Sequence, residues 1–252
     1  MNEDQRFELL YQVGEELLKD GAELGRVETT VAYLAESFEL QEFSCFIMIN
    51  GIFMTCRKHN GDVLAKNKEV PLATVQLDKI DAINDLSRKL TAKKISIAAF
   101  SRQFNQIKQD YQPQLKRQFL AYCLGSASFC IIFNGTLPES FAALFLGLFM
   151  AFYLLILTPK LKLSKISLNI SASFLVSILA QIIHGFFPWL KLSSLVIGGI
   201  IALVPGISIV NGIRYLFNED YPSGLAQVTD ALVISLCIAF GVGLALWTFD
   251  LL

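Results

Sequence analysis

Residues 166–190 read ISLNISASFLVSILAQIIHGFFPWL, 25 positions without an acid, a lysine or an arginine. A helix needs about 20 apolar residues to cross a hydrocarbon layer of about 30 Å, so this run is long enough. Uncharged stretches of similar length flank it: residues 118–138 (21), 140–159 (20), 192–213 (22) and 231–249 (19). A helix packed on a soluble core keeps a polar face, and five such runs in succession leave no room for one. The expected fold is an α-helical integral membrane protein with five transmembrane helices, at about 118–135, 139–158, 166–188, 192–213 and 224–249.

The rest of the chain has a different composition. Of 252 residues 54% are hydrophobic and 17% charged, and the mean hydropathy is +0.51. Residues 1–117 carry 16 of the 21 Lys/Arg and 17 of the 22 Asp/Glu, and the remaining 135 residues carry five of each. Two domains follow: a water-facing one over 1–115 and a membrane one over 116–252. The net charge of −1 offers no basic field for nucleic acid. The start, Met1-Asn-Glu-Asp-Gln-Arg6, is charged and lacks the apolar core of a cleavable signal peptide, so the amino terminus is expected in the cytoplasm.

Orientation is read from the cations around the runs. Lys116 and Arg117 precede the first, Lys160, Lys162 and Lys165 fill the second loop, and Arg214 sits in the fourth. The first loop has none and the third only Lys191. The amino terminus and the even loops are therefore expected inside, with the tail Asp250-Leu251-Leu252 outside, in a multi-pass protein of the inner or plasma membrane.

Residues 1–115 read as an α+β domain. Phe7, Leu10, Tyr11, Val13, Leu17 and Leu18 recur at helical spacing up to a stop near Asp20-Gly21, and a second helix runs over about 22–38. Phe43–Ile49 and Ile52–Arg57 are β-rich and separated by Asn50-Gly51, a hairpin signal, with a second turn at His59–Asp62. After Pro71, helices are expected over about 76–91 and 95–111.

Five cysteines with no CxxC pair and two histidines give no metal or redox set. There is no nucleophile elbow, phosphate loop or HExxH, so neither an enzyme nor an ATP-driven pump is expected, and no cofactor. The competing reading is a membrane-bound hydrolase with Glu23, Arg26, Glu28, His59 and Asp62 as its candidates; helix charges of this kind are usually solvated or ion-paired.

The chemistry-bearing stretch is Ile200-Ile-Ala-Leu-Val-Pro-Gly-Ile-Ser-Ile-Val-Asn-Gly-Ile-Arg214. Pro205 removes a backbone donor and Gly206 loosens the chain. Backbone groups freed in lipid must be satisfied by neighbours or line a wet cavity, and secondary transporters build solute sites on broken helices of this kind. Ser208, Asn211 and Arg214 follow at intervals of three and are expected on one face. Asp230 is an acid about 9 Å inside a last helix that starts near Gly224. An intramembrane acid reads as a proton relay or as the partner of a cation such as Arg214. Asn169, Gln181 and His184 read as interhelical hydrogen bonds or interface anchors, and Gly198, Gly199, Gly241 and Gly243 as close helix contacts.

Two motifs carry a resemblance. Gly14-Glu-Glu-Leu-Leu-Lys-Asp-Gly21-Ala22-Glu-Leu-Gly-Arg26-Val27-Glu28 resembles the opening signature of the bacterial threonine/serine exporter family, and Asn50-Gly51-Ile52 with Thr55 its small strand region. Leu203-Val-Pro205-Gly206-Ile207, Asn211, Ile213, Asp220 and Gly224 resemble its membrane signature, with Ser208 where many relatives have a second proline. The family's single-chain members carry roughly twice as many spans, so this chain resembles the larger subunit of the split two-component form. The resemblance implies gradient-driven export of small hydrophilic metabolites, of threonine/serine type or alternatively dicarboxylates of succinate type. It also implies a second, smaller membrane subunit, and an oligomer is plausible. Pro205, Gly206, Ser208 and Asn211 would then line the path, Arg214 would attract a carboxylate, and Asp230 would be the proton-linked group.

Overall fold

The computed structural model describes residues 1–70, 75–110 and 114–250. Pro71, the end of the helix expected to reach residue 111, and the last two residues of the expected tail lie outside them. The chain divides into two compact units, 1–112 and 113–252.

In the first unit, α1 (Glu3–Lys19) starts on a reciprocal cap: the Gln5 N–H donates to Asn2 Oδ1 at 2.8 Å and the Asn2 N–H to Gln5 Oε1 at 3.1 Å. It ends because Gly21 takes φ +77°, which lets the Ala22 N–H reach Leu17 O and the Gly21 N–H reach Leu18 O, both at 3.0 Å. After α2 (Leu24–Ser37), strands β1 (Gln41–Met48), β2 (Gly51–Arg57) and β3 (Val63–Glu69) form an antiparallel meander, followed by α3 (Leu77–Thr91) and α4 (Ile97–Asp110). Period-2 alternation turns Ile52, Met54 and Cys56 of β2 inward. They join a core of Leu10, Val31, Phe38 and Phe100, all buried.

The hairpin differs from expectation. Met48 pairs with Gly51, so the turn is Ile49-Asn50 rather than Asn50-Gly51. The unexpected third strand explains the shift, because Gly51 also pairs with Glu69 and Asn50 O accepts from the Val70 N–H at 2.8 Å. Two-sided pairing draws the glycine out of the turn and into the ladder.

The second unit is helical: α5 (Leu115–Ile132), α6 (Leu137–Phe152), α7 (Thr158–Leu161), α8 (Lys165–Phe186), α9 (Leu192–Ile200), α10 (Gly206–Phe217) and α11 (Tyr221–Asp250). A π-helical turn, Tyr153–Leu157, joins α6 to α7. Pro159 cannot donate to the carbonyl four residues back, and the Thr158 hydroxyl donates to Tyr153 O at 2.9 Å across the widened turn. Three helices are long and apolar enough to cross a membrane: Leu137–Leu161, Lys165–Phe186 and Tyr221–Thr248. A fourth crossing is counted if Leu192–Leu203 and Gly206–Phe217, bent by 60°, act as one. The expected first crossing falls on α5, which is not among them. It has 18 residues, about 27 Å of helix, and its first turn holds Lys116 and Arg117.

Large apolar side chains cover the outside of this unit, with Phe217 84%, Leu137 78%, Phe186 76% and Leu236 69% exposed. A shell of that kind suits lipid and would aggregate in water. Inside, adjacent glycines let α9 approach two neighbours. A Cβ on Gly198 would lie 2.9 Å from Ser126 O of α5, and one on Gly199 would lie 2.4 Å from Val176 Cγ1 of α8. Gly241 of α11 meets Ile170 O and Ser173 of α8 as closely, whereas Gly243 faces open space.

Candidate functional site

The break after α9 follows from Pro205. The chain tightens to a 3-10 turn at Ile201–Leu203, Val204 becomes extended (φ −63°, ψ 124°), and Pro205 sits at φ −81°, ψ 52°. With the Gly206 N–H donating to Val204 O at 2.9 Å, Val204–Gly206 form an inverse γ-turn. α10 starts at once, the Ile209 N–H reaching Pro205 O at 3.1 Å. The last carbonyls of one helix and the first N–H groups of the next therefore meet at one bend, offering acceptors and donors that neither helix uses internally.

An open, mostly apolar groove of about 480 Å³ lies against this bend, with Val204 and Gly206 exposed at its rim. Val204 and Gly206 line one side, and the small-residue face of α5, Ala121, Gly125 and Ser126, lines the other. The Ser126 hydroxyl is buried there with no hydrogen-bond partner among the described residues. Sequence reasoning did not assign α5 to a site; the signal available was its small residues, Gly125 and Ser126.

Of the expected site residues, Pro205 and Gly206 form the bend. Ser208 and Asn211 are half-buried, while Arg214, three residues beyond Asn211, is exposed, so the polar face turns outward along α10. Asp230 lies on α11, and its carboxylate is gripped by Lys165 of α8, with Nζ 2.7 and 2.6 Å from the two oxygens. Arg214 was the expected cation; the ion pair the structure gives is with Lys165, 65 residues away in sequence.

A second acid in this unit is buried. Glu139 is 1% exposed at the start of α6 and accepts from the Thr136 N–H at 2.6 Å and the Lys191 N–H at 2.7 Å. It ties the loop before α6 to the loop before α9, a structural duty. The Thr136-Leu-Pro-Glu139 spacing is that of a capping box, so the signal was present. Among the three polar groups of the third run, Asn169 bonds the Lys165 carbonyl of its own helix at 2.8 Å, and His184 Nδ1 lies 2.6 Å from Leu190 O at the α8–α9 turn. Gln181 makes no such bond among the described residues.

The hydrolase candidates of the first unit do not converge. His59 is bonded to Glu3, and Asp62 bonds Asn60 within its own turn. Arg26 is 3.7 Å from Glu23 on an exposed helix start. Burial pushes the nearby Cys45 thiol up to about 11, away from a reactive thiolate. Among the described residues no group of three His, Cys, Asp or Glu side chains is placed to hold a metal ion.

With this geometry in hand, the comparison with protein families is decisive: the threonine/serine exporter (ThrE) profile matches residues 8–248. The chain belongs to the threonine/serine exporter family. Neither the curated proteins nor the solved structures contain a match. As an exporter-family chain, its two signatures are explained by packing as much as by chemistry. Gly14 lets α1 lie against β2, since a Cβ there would meet Met54 Cε at 2.6 Å. Asp220 caps α11 through the Ser223 N–H, and Gly224 lets Leu216 of α10 pack onto α11.

The opening signature also contains a buried ionic cluster. Lys79 of α3 bonds Glu16 and lies 3.1 Å from Asp20, all three under 8% exposed. Burial pushes the Asp20 carboxyl above its usual value, an effect only partly countered by Lys79. Burial pulls Lys79 down, and its bonds to Glu16 and Asp20 outweigh that and hold it protonated.

Proposed function

We propose that this chain is the larger subunit of a two-component secondary exporter of threonine/serine-type amino acids, with the α9–α10 bend lining the solute path. The observation that carries the proposal is the 60° break fronting a groove of about 480 Å³. A zwitterion needs both acceptors and donors, and the bend supplies carbonyls from one helix end and N–H groups from the next. Ser208 and Asn211 add hydroxyl and amide contacts, and Arg214 draws the carboxylate in.

Asp230 is the proton-linked group. Ionised, it holds Lys165 and ties α11 to α8. Protonation removes that attraction and lets the two helices part, which couples solute passage to a proton gradient. In this reading α5 makes the first of five crossings, the amino terminus and the first unit face the cytoplasm, and the carboxyl terminus is outside. The distribution of Lys and Arg among the loops supports this orientation. A smaller membrane subunit completes the path, and the apolar outer faces of α6 and α11 leave room for it and for oligomers within the bilayer.

The test is efflux from cells loaded with a threonine-containing dipeptide, with succinate in a parallel arm. Asp230→Asn at normal membrane levels is expected to slow threonine efflux by about tenfold, about 1.4 kcal/mol on the barrier. Gly125→Leu, which projects into the groove from open space, is expected to block efflux while leaving the fold intact. Undiminished efflux in both variants sinks the proposal, and succinate efflux without threonine efflux reassigns the load.

A further inference from the structure

α8 buries a polar side chain at every fourth position: Asn169, Ser173, Ser177 and Gln181 are at most 6% exposed. The first two are satisfied on their own helix. Asn169 Nδ2 donates to Lys165 O, and the Ser173 hydroxyl donates to Asn169 O at 2.7 Å. The last two are not. Among the described residues, Ser177 Oγ and both Gln181 side-chain atoms have no hydrogen-bond partner.

A helical serine ordinarily escapes burial cost by bonding the carbonyl four residues back, as Ser173 and Ser235 do. Ser177 does not. It stands one turn below Gln181 on the same face, about 6 Å along the axis. The neighbourhood is apolar, with Ala180 packed among Leu146, Leu195 and Val196. A buried amide without a partner is costly, and an apolar side chain of similar shape would fit without that cost. A polar pair kept against stability is the pattern of a functional site.

We propose that Ser177 and Gln181 recognise the head group of the transported amino acid. Gln181 Oε1 accepts from the solute's ammonium group, while Gln181 Nε2 and the Ser177 hydroxyl donate to its carboxylate. A dicarboxylate brings only acceptors and leaves Oε1 unanswered, so this pair selects zwitterions over dianions. The site is closed in this structure and receives solute when α8 parts from its neighbours. The closest approaches there are Gly199 against Val176 and Gly241 against Ser173, flanked by Met150, Ile234 and Ile238 packed on Ala172 and Val176.

This inference rests on the efflux reading, and the experiment separates the two. Wild type, Gln181→Met and Ser177→Ala are compared for threonine and succinate efflux from loaded cells. The purified full chain is compared for thermal unfolding with and without threonine. Gln181→Met is expected to unfold at the same or a higher temperature than wild type, to lose at least tenfold of threonine efflux, and to lose the stabilisation by threonine. Ser177→Ala is expected to lose efflux several-fold with its unfolding temperature retained. A Gln181→Met protein that unfolds earlier, or that exports threonine as well as wild type, overturns the site. Wild-type protein stabilised by threonine through Gln181 but exporting nothing overturns the efflux reading and leaves the site standing. Wild-type protein showing neither effect overturns both.

Discussion

In the first unit Lys79, Glu16 and Asp20 are buried together and answer one another; in the second, Ser126, Ser177 and Gln181 are buried as deeply with no partner among the described residues. The first arrangement is what burial of charge demands, because an unpaired ion away from water is too costly to keep. The second is tolerable only because neutral groups cost less, and it weakens the fold wherever it occurs. Their outer surfaces differ in the same sense. The first unit turns most of its large apolar residues inward, whereas the helices of the second carry theirs outward. Both units keep some buried polar atoms without a hydrogen-bond partner among the described residues, Tyr11 Oη and one Asp20 oxygen in the first as well as Ser126, Ser177 and Gln181 in the second. The difference is that the first pairs buried charge with buried charge, whereas the second meets its buried Glu139 with backbone N–H groups.

The most damaging way to probe this contrast is Lys79→Met, which leaves Asp20 without its cation and Glu16 with only the more distant Lys108, 3.8 Å away. It is expected to cost about 3–5 kcal/mol in denaturant unfolding of the full chain. Asp20→Asn leaves a balanced Lys79–Glu16 pair and is expected to cost under about 1 kcal/mol; equal losses in the two variants would break the account of the cluster.

The second probe is packing in the membrane unit. Gly241→Ala brings a methyl to 2.5 Å from the Ile170 carbonyl, with an expected cost of about 1–3 kcal/mol in thermal unfolding in detergent. A neutral outcome would mean that the α8–α11 seam is looser than that close approach requires.

A third probe uses pH. The folded state raises the Asp20 carboxyl above its usual 3.8, so its stabilising contribution is full below that value and is lost as pH rises through the folded value. Glu8 runs the other way: its bond to Lys66 lowers it from 4.5, and its contribution is present above that value and lost on acidification. The gap in stability between Asp20→Asn and wild type should therefore move in favour of the variant as pH rises from about 3.8, while Glu8→Gln shows the opposite drift. Parallel profiles would show that Asp20 is not held in a desolvated site. The smallest expected effect is Gly243→Ala, which faces open space and should stay within about 0.5 kcal/mol of wild type.

How far these features were legible from sequence depended on their range. Pro205-Gly206 announced the break, and Gly21 the end of α1, because each acts through its own backbone. The turn falls at Ile49-Asn50, one residue before the Asn50-Gly51 signal, because β3, whose lysines give it the polar character of an exposed edge strand and no strand signal, pulls Gly51 into the ladder. Glu139 carries a visible capping spacing, but its tie to the Lys191 N–H depends on where α9 begins in space. Lys165 was invisible as the partner of Asp230, because the two are joined only by the packing of α8 on α11. Gln181 was noticed, but its lack of a partner is a property of the filled interior around it.

Sequence by itself determined that residues beyond 116 form apolar helices suited to lipid, that one of them breaks at Pro205, and which family signatures the chain carries. Those properties depend on run length, composition and local backbone chemistry. Only the tertiary structure decided which cation holds Asp230, that α5 faces the bend across a groove, and which buried polar groups stand unanswered. Each of those depends on which helices approach one another and how closely, and hydrogen bonds and ion pairs act over a few ångströms between residues that the chain itself keeps far apart.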